Sequence, residues 1–128
     1  MNAFNALAVF IGAGLGGVGR YGLGLLLVQP AWLPFQIGTL MANLIGGFVA
    51  GVLFSVLGPA WLKANPLGLF LMTGVLGGFT TFSAFSLDSF TLWQRGDNLV
   101  ALGYVLGSVV LSFSALIAGV YLTREVFA

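Results

Sequence analysis

The charged residues of this chain are few, and long uncharged segments separate them. Four of its 128 residues are basic and three are acidic. The uncharged segments are residues 1–19, 21–62, 64–87 and 98–123. A helix crosses a bilayer with about 20 apolar residues, so segments of this length are typical of membrane spans. The second segment is too long for one crossing, and Pro30 and Pro34 divide it between two helices.

This pattern predicts an all-α membrane protein with four transmembrane helices per chain. We expect the four helices to form a single domain over residues 1–128. The predicted spans lie at about residues 3–28, 35–57, 67–94 and 99–123.

The composition disfavours an enzyme. Cys and His are both absent, so the chain lacks thiolates, imidazole bases and the usual ligands of zinc. Charged residues make up 5% of the chain, against about a quarter in soluble domains. The net charge of +1 provides no basic patch for nucleic acid. We therefore expect neither catalysis nor a nucleic-acid partner.

The third predicted span contains a segment that forms a poor continuous helix. Residues 74–86 read GVLGGFTTFSAFS. Glycine and β-branched threonine both lower helix stability, so we predict a break near Gly77–Thr81. In a bilayer, free backbone groups persist where they are buried in protein, line a wet cavity or hold an ion. Small and hydroxyl residues also favour close helix packing, and the segment alone leaves both interpretations open.

Polar residues recur at helical spacing in the second and fourth spans. Each set occupies one helix face, and we expect the two faces to meet near the broken helix. An Asn inside a membrane helix either hydrogen-bonds a neighbouring helix or donates its N–H to a passing anion. The sets are Thr39, Asn43, Gly47 and Gly51 in the second span, and Tyr104, Ser108 and Ser112 in the fourth.

Glycine spacing predicts two close helix contacts. Gly12 and Gly16 form a GxxxG pair in the first span. Gly103 and Gly107 offer a second seam beside the hydroxyls of the fourth span. Arg20 is open to two interpretations. It reaches the headgroups as a snorkelling arginine, or its charge attracts anions to a pore mouth or fixes a buried turn.

The basic residues give no preferred orientation. With four spans, Lys63 and Arg124 lie on one side of the membrane, while Arg95 and Arg20 lie on or toward the other. The usual excess of positive charge on the cytoplasmic side is therefore missing. Copies inserted both ways up could pair as inverted repeats do in larger transporters. We infer an antiparallel, dual-topology homodimer.

The residues of the third span carry a family resemblance. The segment GVLGGFTTFSAFS resembles the third-helix signature of the Fluc (CrcB) fluoride channels. Supporting matches are the Gly-rich first helix ending in residues 19–21, the segment NLIGG at residues 43–47, and the hydroxyls of the fourth span. The resemblance covers essentially the whole chain.

The resemblance implies a passive, fluoride-selective channel in the cell inner (plasma) membrane. Such a channel confers fluoride resistance. It implies a dual-topology dimer with two antiparallel pores and a structural sodium ion at its centre. The residues implied are Phe82 and Phe85 as pore-lining rings, Asn43 as a fluoride ligand, Ser83, Ser108 and Ser112 with Tyr104 as a polar track, Arg20 at the vestibule, and Gly77 and Thr80 as carbonyl ligands of sodium.

Two positions depart from the family pattern, and two rival functions stay open. Ala84 stands where the family usually has Thr, and Asp88 replaces a more usual Glu; both are expected to affect conduction and not the identity of the protein as a family member.

A small multidrug-type exporter has similar length and often dual topology, but it needs an acidic residue in its first helix, and the first predicted span of this chain contains none. A membrane scaffold would explain the glycine seams but would not require the polar faces to converge.

Overall fold

The computed structural model describes residues 2–27 and 29–127, and their regular structure is helical. The helices are α1 (Ala3–Leu26), α2 (Ile37–Leu57), α3 (Pro59–Ala64), α4 (Pro66–Gly68), a π-helical segment (Leu69–Leu76), α5 (Gly77–Phe79), α6 (Phe82–Gln94) and α7 (Asn98–Phe127).

Four stretches are long and apolar enough to cross a membrane, as predicted. They are Ala3–Leu26, Ile37–Leu57, Pro66–Gln94 and Asn98–Val126. The predicted end of the first span at Val28 lies outside the described residues. The four-span prediction is therefore confirmed, because the charge-free segments are as long as a bilayer is thick.

The second connection contains a short helix that the sequence analysis did not predict. Gly58 has a positive φ of 76°, which ends α2 and turns the chain. Pro59 then occupies the first turn of α3, where its missing N–H costs nothing. Asn65 caps α4, its side chain accepting a hydrogen bond from the Leu67 N–H. Residues 58–65 thus link the second and third spans, and the short helix α4 begins the third span.

The third span is broken, but over a shorter stretch than predicted. Gly77–Phe79 are helical, and only Thr80 and Thr81 adopt extended backbone angles. The prediction of a break across all of Gly77–Thr81 is wrong for its first three residues. Packing offsets the low helix propensity of Gly78, because a Cβ at this position would lie 2.9 Å from the Ala13 Cα in α1.

The first half of the third span is wound as a π-helix over Leu69–Leu76. Nothing in the sequence indicates this wider winding, and π-helical turns often occur at functional sites. The segment packs along α1 through the predicted glycine seam. A Cβ on Gly12 would lie 2.9 Å from the Gly74 Cα, and one on Gly16 would overlap the Val75 carbonyl oxygen. This predicted helix contact is confirmed.

Helices α2 and α7 form the other close pair. Gly47 and Gly51 lie against the backbone of Ser112 and Leu116, and Gly119 lies against that of Phe48. The prediction of close helix packing at Gly103 and Gly107 of α7 is wrong for contacts within one chain. Beyond the adjacent backbone of α7 itself, no described atom lies within 4 Å of a Cβ built at Gly103 or Gly107. Glycine spacing identifies candidate seams but cannot say which of them a neighbouring helix occupies.

Candidate functional site

The break in the third span is held open by one side chain from α2. The Asn43 amide donates through Nδ2 to the Thr81 carbonyl oxygen at 3.1 Å. Its Oδ1 accepts from the Thr81 N–H at 2.8 Å. Asn43 therefore satisfies both backbone groups of an extended residue in the middle of the third span, where an unpaired group would cost several kcal/mol.

Thr81 also starts the helix that follows the break. Its Oγ1 accepts a hydrogen bond from the Ala84 N–H at 3.1 Å, so Thr81 is the N-cap of α6. On the other side of the break, Thr80 closes α5: its N–H and its hydroxyl both donate to the Leu76 carbonyl at 2.8 Å. The two threonines thus finish one helix and begin the next.

These bonds release two backbone carbonyls from helical pairing. In a continuous helix the Thr81 N–H would donate to the Gly77 carbonyl, and the Ala84 N–H to the Thr80 carbonyl. Here both donors bond side chains instead, Asn43 and Thr81 respectively. Gly77 and Thr80 are the two positions at which the resemblance implies carbonyl ligands for sodium.

A cavity of about 490 Å³ opens beside the break, between α2, α6 and α7. Many of the predicted site residues lie around it, and no charged side chain lines it within residues 2–27 and 29–127. The predicted residues along its wall are Asn43, Gly77, Thr80, Phe82, Phe85, Ser108 and Ser112. The predicted convergence of the polar faces of the second and fourth spans on the broken helix therefore occurs.

The two phenylalanines of this wall have different surroundings. Their ring centroids lie 5.4 Å apart with a 48° angle between the planes. Phe85 is 9% exposed and belongs to a core cluster with Leu92, Ala101 and Tyr104. Phe82 is 79% exposed in the single chain. The Phe82 ring is therefore free to meet an ion or a second subunit, whereas the Phe85 ring is fixed in place.

Two of the three serines of α7 have buried hydroxyls that find no hydrogen-bond partner among the described residues. Ser108 and Ser112 have buried Oγ atoms without a hydrogen bond in the part of the chain that the structure describes. Most buried hydroxyls are hydrogen-bonded, so these two, which border the cavity, are available to bond a polar molecule or ion within it. Isolated serines in a membrane helix mostly bond their own backbone, and here Ser86 and Ser89 of α6 do so.

Three predicted site residues lie away from the cavity wall. Ser83 is exposed, and its hydroxyl lies 3.2 Å from the Thr81 hydroxyl. Tyr104 is buried, stacks on Phe85 at 5.7 Å and donates to the Asp88 carboxylate at 3.3 Å. Arg20 donates through Nε to the carbonyl of Gly78 in α5 at 3.4 Å, so it contacts the helix that precedes the break.

Sequence reasoning missed the central role of Thr81. It placed this residue in the break but not among the site residues, because it lies 38 positions from Asn43 along the chain and local spacing does not connect them. A partial signal was present. A threonine that follows helix-breaking residues and precedes a new helix is a typical N-cap.

Fold and site together define a class: a multi-pass membrane protein with four helical spans and a broken third span bordering an uncharged polar cavity. Residues 7–120 match the family model described as CrcB-like protein, Camphor Resistance (CrcB). The chain belongs to the CrcB family, which confirms the resemblance found in its sequence.

Three curated relatives are named fluoride-specific ion channel FluC or FluC 2. The chain is 49% identical over 124 residues to the protein of Paracoccus denitrificans, covering 95% of this chain and 96% of that one. It is 43% identical over 121 residues to FluC 2 of Nitrobacter hamburgensis (94% and 98%) and 42% identical over 120 residues to that of Chloroflexus aurantiacus (94% and 95%).

Proposed function

We propose that this chain forms a fluoride-selective channel through which fluoride leaves the cell passively across the inner (plasma) membrane. The observation that carries this proposal is the cavity wall, which offers an amide, two unpaired buried hydroxyls and two phenylalanine rings but no charged group among the described residues. The names of the relatives support the choice of ion.

An uncharged wall suits a conducting anion site. The edge of an aromatic ring carries partial positive charge, so the edges of Phe82 and Phe85 attract a small anion without a formal charge. The hydroxyls of Ser108 and Ser112 and the amide of Asn43 replace part of the lost hydration shell. Conduction needs entry that is favourable and exit that is easy, and a fixed lysine or arginine in the wall would hold fluoride too tightly.

The two released carbonyls suit a structural sodium ion. Carbonyl oxygens are good ligands for hard cations, and those of Gly77 and Thr80 have lost their helical donors to Asn43 and Thr81. When bound, the ion supplies positive charge near the cavity, which lowers the cost of bringing an anion into a low dielectric. Asn43 then has two roles, bordering the anion path and keeping the carbonyls free.

A second, antiparallel copy completes the site in this proposal. Gly77 and Phe82 are exposed in the single chain although both lie in mid-span. An unpaired carbonyl such as that of Gly77 cannot face lipid at low cost, so this surface needs cover. The even distribution of basic residues lets the covering subunit be an inverted copy, with two antiparallel pores as the result.

Orientation can be measured directly because the chain contains no cysteine. We expect an impermeant maleimide added outside spheroplasts to label about half of Ala31→Cys and about half of Ala60→Cys, as dual topology requires. Both alanines are exposed, lie in different connections, and can be replaced without changing charge. Full labelling of one variant with none of the other would show a single orientation and refute the antiparallel dimer.

The function itself is tested with the purified protein in liposomes. Vesicles loaded with potassium fluoride should release fluoride to an external electrode when valinomycin is added to carry the counter-charge. Vesicles loaded with potassium chloride should release little chloride under the same conditions. Equal release of both anions would refute selectivity, and absence of fluoride release would refute the channel. Transport of an organic cation driven by a proton gradient, without fluoride release, would favour the multidrug-type exporter.

A further inference from the structure

Phe35 is the fourth ring in a line of contacting aromatic side chains that begins with the two phenylalanines of the cavity and continues through Tyr104. From the cavity outward the rings are Phe82, Phe85, Tyr104 and Phe35, and we call these four the aromatic row. Neighbouring ring centroids lie 5.4, 5.7 and 5.2 Å apart. Phe35 comes from the connection before α2, so the row runs from mid-span to the end of the molecule at which α1 joins α2 and α6 joins α7.

Phe35 had no part in the site predicted from the sequence, because an aromatic residue at a span end is typical of the membrane interface. The structure places it differently. Its side chain is half-buried and packs against the core cluster of Phe85, Leu92, Ala101 and Tyr104. Trp32, three residues earlier, is 80% exposed. Two aromatic residues of one connection thus lie in different environments, one on the row and one outside.

One side chain fixes the backbone beneath Phe35. The Gln29 amide donates to the carbonyl oxygens of Leu33 and Phe35 and accepts from the Ile37 N–H at 3.1 Å. These bonds close residues 29–36, which are neither helix nor strand. The two prolines within this segment have no N–H to contribute. Gln29 therefore ties the residue that carries the outer ring to the start of α2.

We propose that Phe35 is the outermost ring of the anion path and that Gln29 is the positioning residue that holds it against Tyr104. This inference rests on the proposed function. An anion that meets ring edges at Phe82 and Phe85 would meet another edge where the row reaches the mouth. Tyr104 and Asp88 are hydrogen-bonded beside this ring, so displacing Phe35 would also loosen the contact that keeps Tyr104 in place.

The liposome assay separates this role from a folding role, because it reports two quantities. The fraction of vesicles that release fluoride counts active channels, and the rate within those vesicles measures conduction. Phe35→Leu should lower the rate by about 2- to 10-fold, the effect of losing one ring interaction, with the fraction unchanged. Phe35→Tyr keeps the ring and should keep the rate. Trp32→Leu, the matched control in the same connection, should match the wild-type protein.

Gln29→Glu tests the positioning role. The carboxylate keeps an acceptor for the Ile37 N–H but loses both donors to the carbonyls, so the rate should fall as in Phe35→Leu, but by less. Unchanged rates in Phe35→Leu, or a loss of active fraction alone, would overturn the role of Phe35. A slowed Phe35→Leu with an unaffected Gln29→Glu would overturn the positioning role. If the wild-type protein released no fluoride, the proposed function itself would fall.

Discussion

Phe82→Ile is expected to lower fluoride flux by at least about 10-fold while the protein still assembles. Isoleucine fills similar apolar space but has no ring edge to attract an anion. The Phe82 side chain is 79% exposed in the single chain, so its loss removes little packing within the subunit. The measurement is the fluoride release rate from liposomes, with size-exclusion elution as the check on assembly.

A control and a companion variant sharpen this prediction. Phe90 lies on the same helix, is exposed and does not line the cavity, so Phe90→Ile should conduct normally. Phe85→Ile should also stop conduction. Because Phe85 belongs to the buried core, this variant is expected to lose about 1–2 kcal/mol of folding stability as well. Undiminished flux in Phe82→Ile and Phe85→Ile would remove both rings from the mechanism.

Asn43→Ala is expected to abolish flux and to remove the stabilising effect of sodium. The substitution leaves the N–H and the carbonyl of Thr81 without partners, at about 1–3 kcal/mol for each group. The freed N–H can then return to the Gly77 carbonyl as in an ordinary helix, which takes away a proposed sodium ligand. Wild-type protein should unfold at a higher temperature in sodium chloride than in N-methyl-glucamine chloride, and the variant should show no such difference.

Asn65→Ala is the matched control for this pair of measurements. Its side chain makes a single hydrogen bond to a backbone N–H, in the connection before α4 and away from the cavity. Removing it should lower stability slightly but leave both the flux and the sodium effect intact. A variant Asn43→Ala that kept the sodium-dependent shift and the flux would show that the pairing with Thr81 is only structural.

The four spans and the broken helix were predictable from the sequence for identifiable reasons. Segments without charge are membrane spans wherever they reach bilayer length, so four of them give four crossings. Glycines followed by threonines weaken a helix whatever surrounds it, so a break in the third span was expected. The extent of the break was wrong, because the contact of Gly78 with Ala13 in α1 keeps residues 77–79 helical, and local propensity does not include such contacts.

The candidate site was predictable in its list of residues but not in its connections. Spacing placed Asn43, Ser108 and Ser112 on helix faces that could meet. It did not show that Asn43 bonds both backbone groups of Thr81, because those residues are far apart in sequence. Nor did it predict the π-helix over Leu69–Leu76, the segment against which Gly12 and Gly16 pack.

The sequence by itself determined that this chain lies in a membrane, crosses it four times and has almost no fixed charge, since charge spacing and hydropathy act residue by residue. Only the tertiary structure decided that the N–H groups of Thr81 and Ala84 bond side chains, which leaves the carbonyls of Gly77 and Thr80 without their helical donors. It also decided where Phe35 lies. Those choices depend on hydrogen bonds and ring contacts between distant segments, which form only when the helices have packed together.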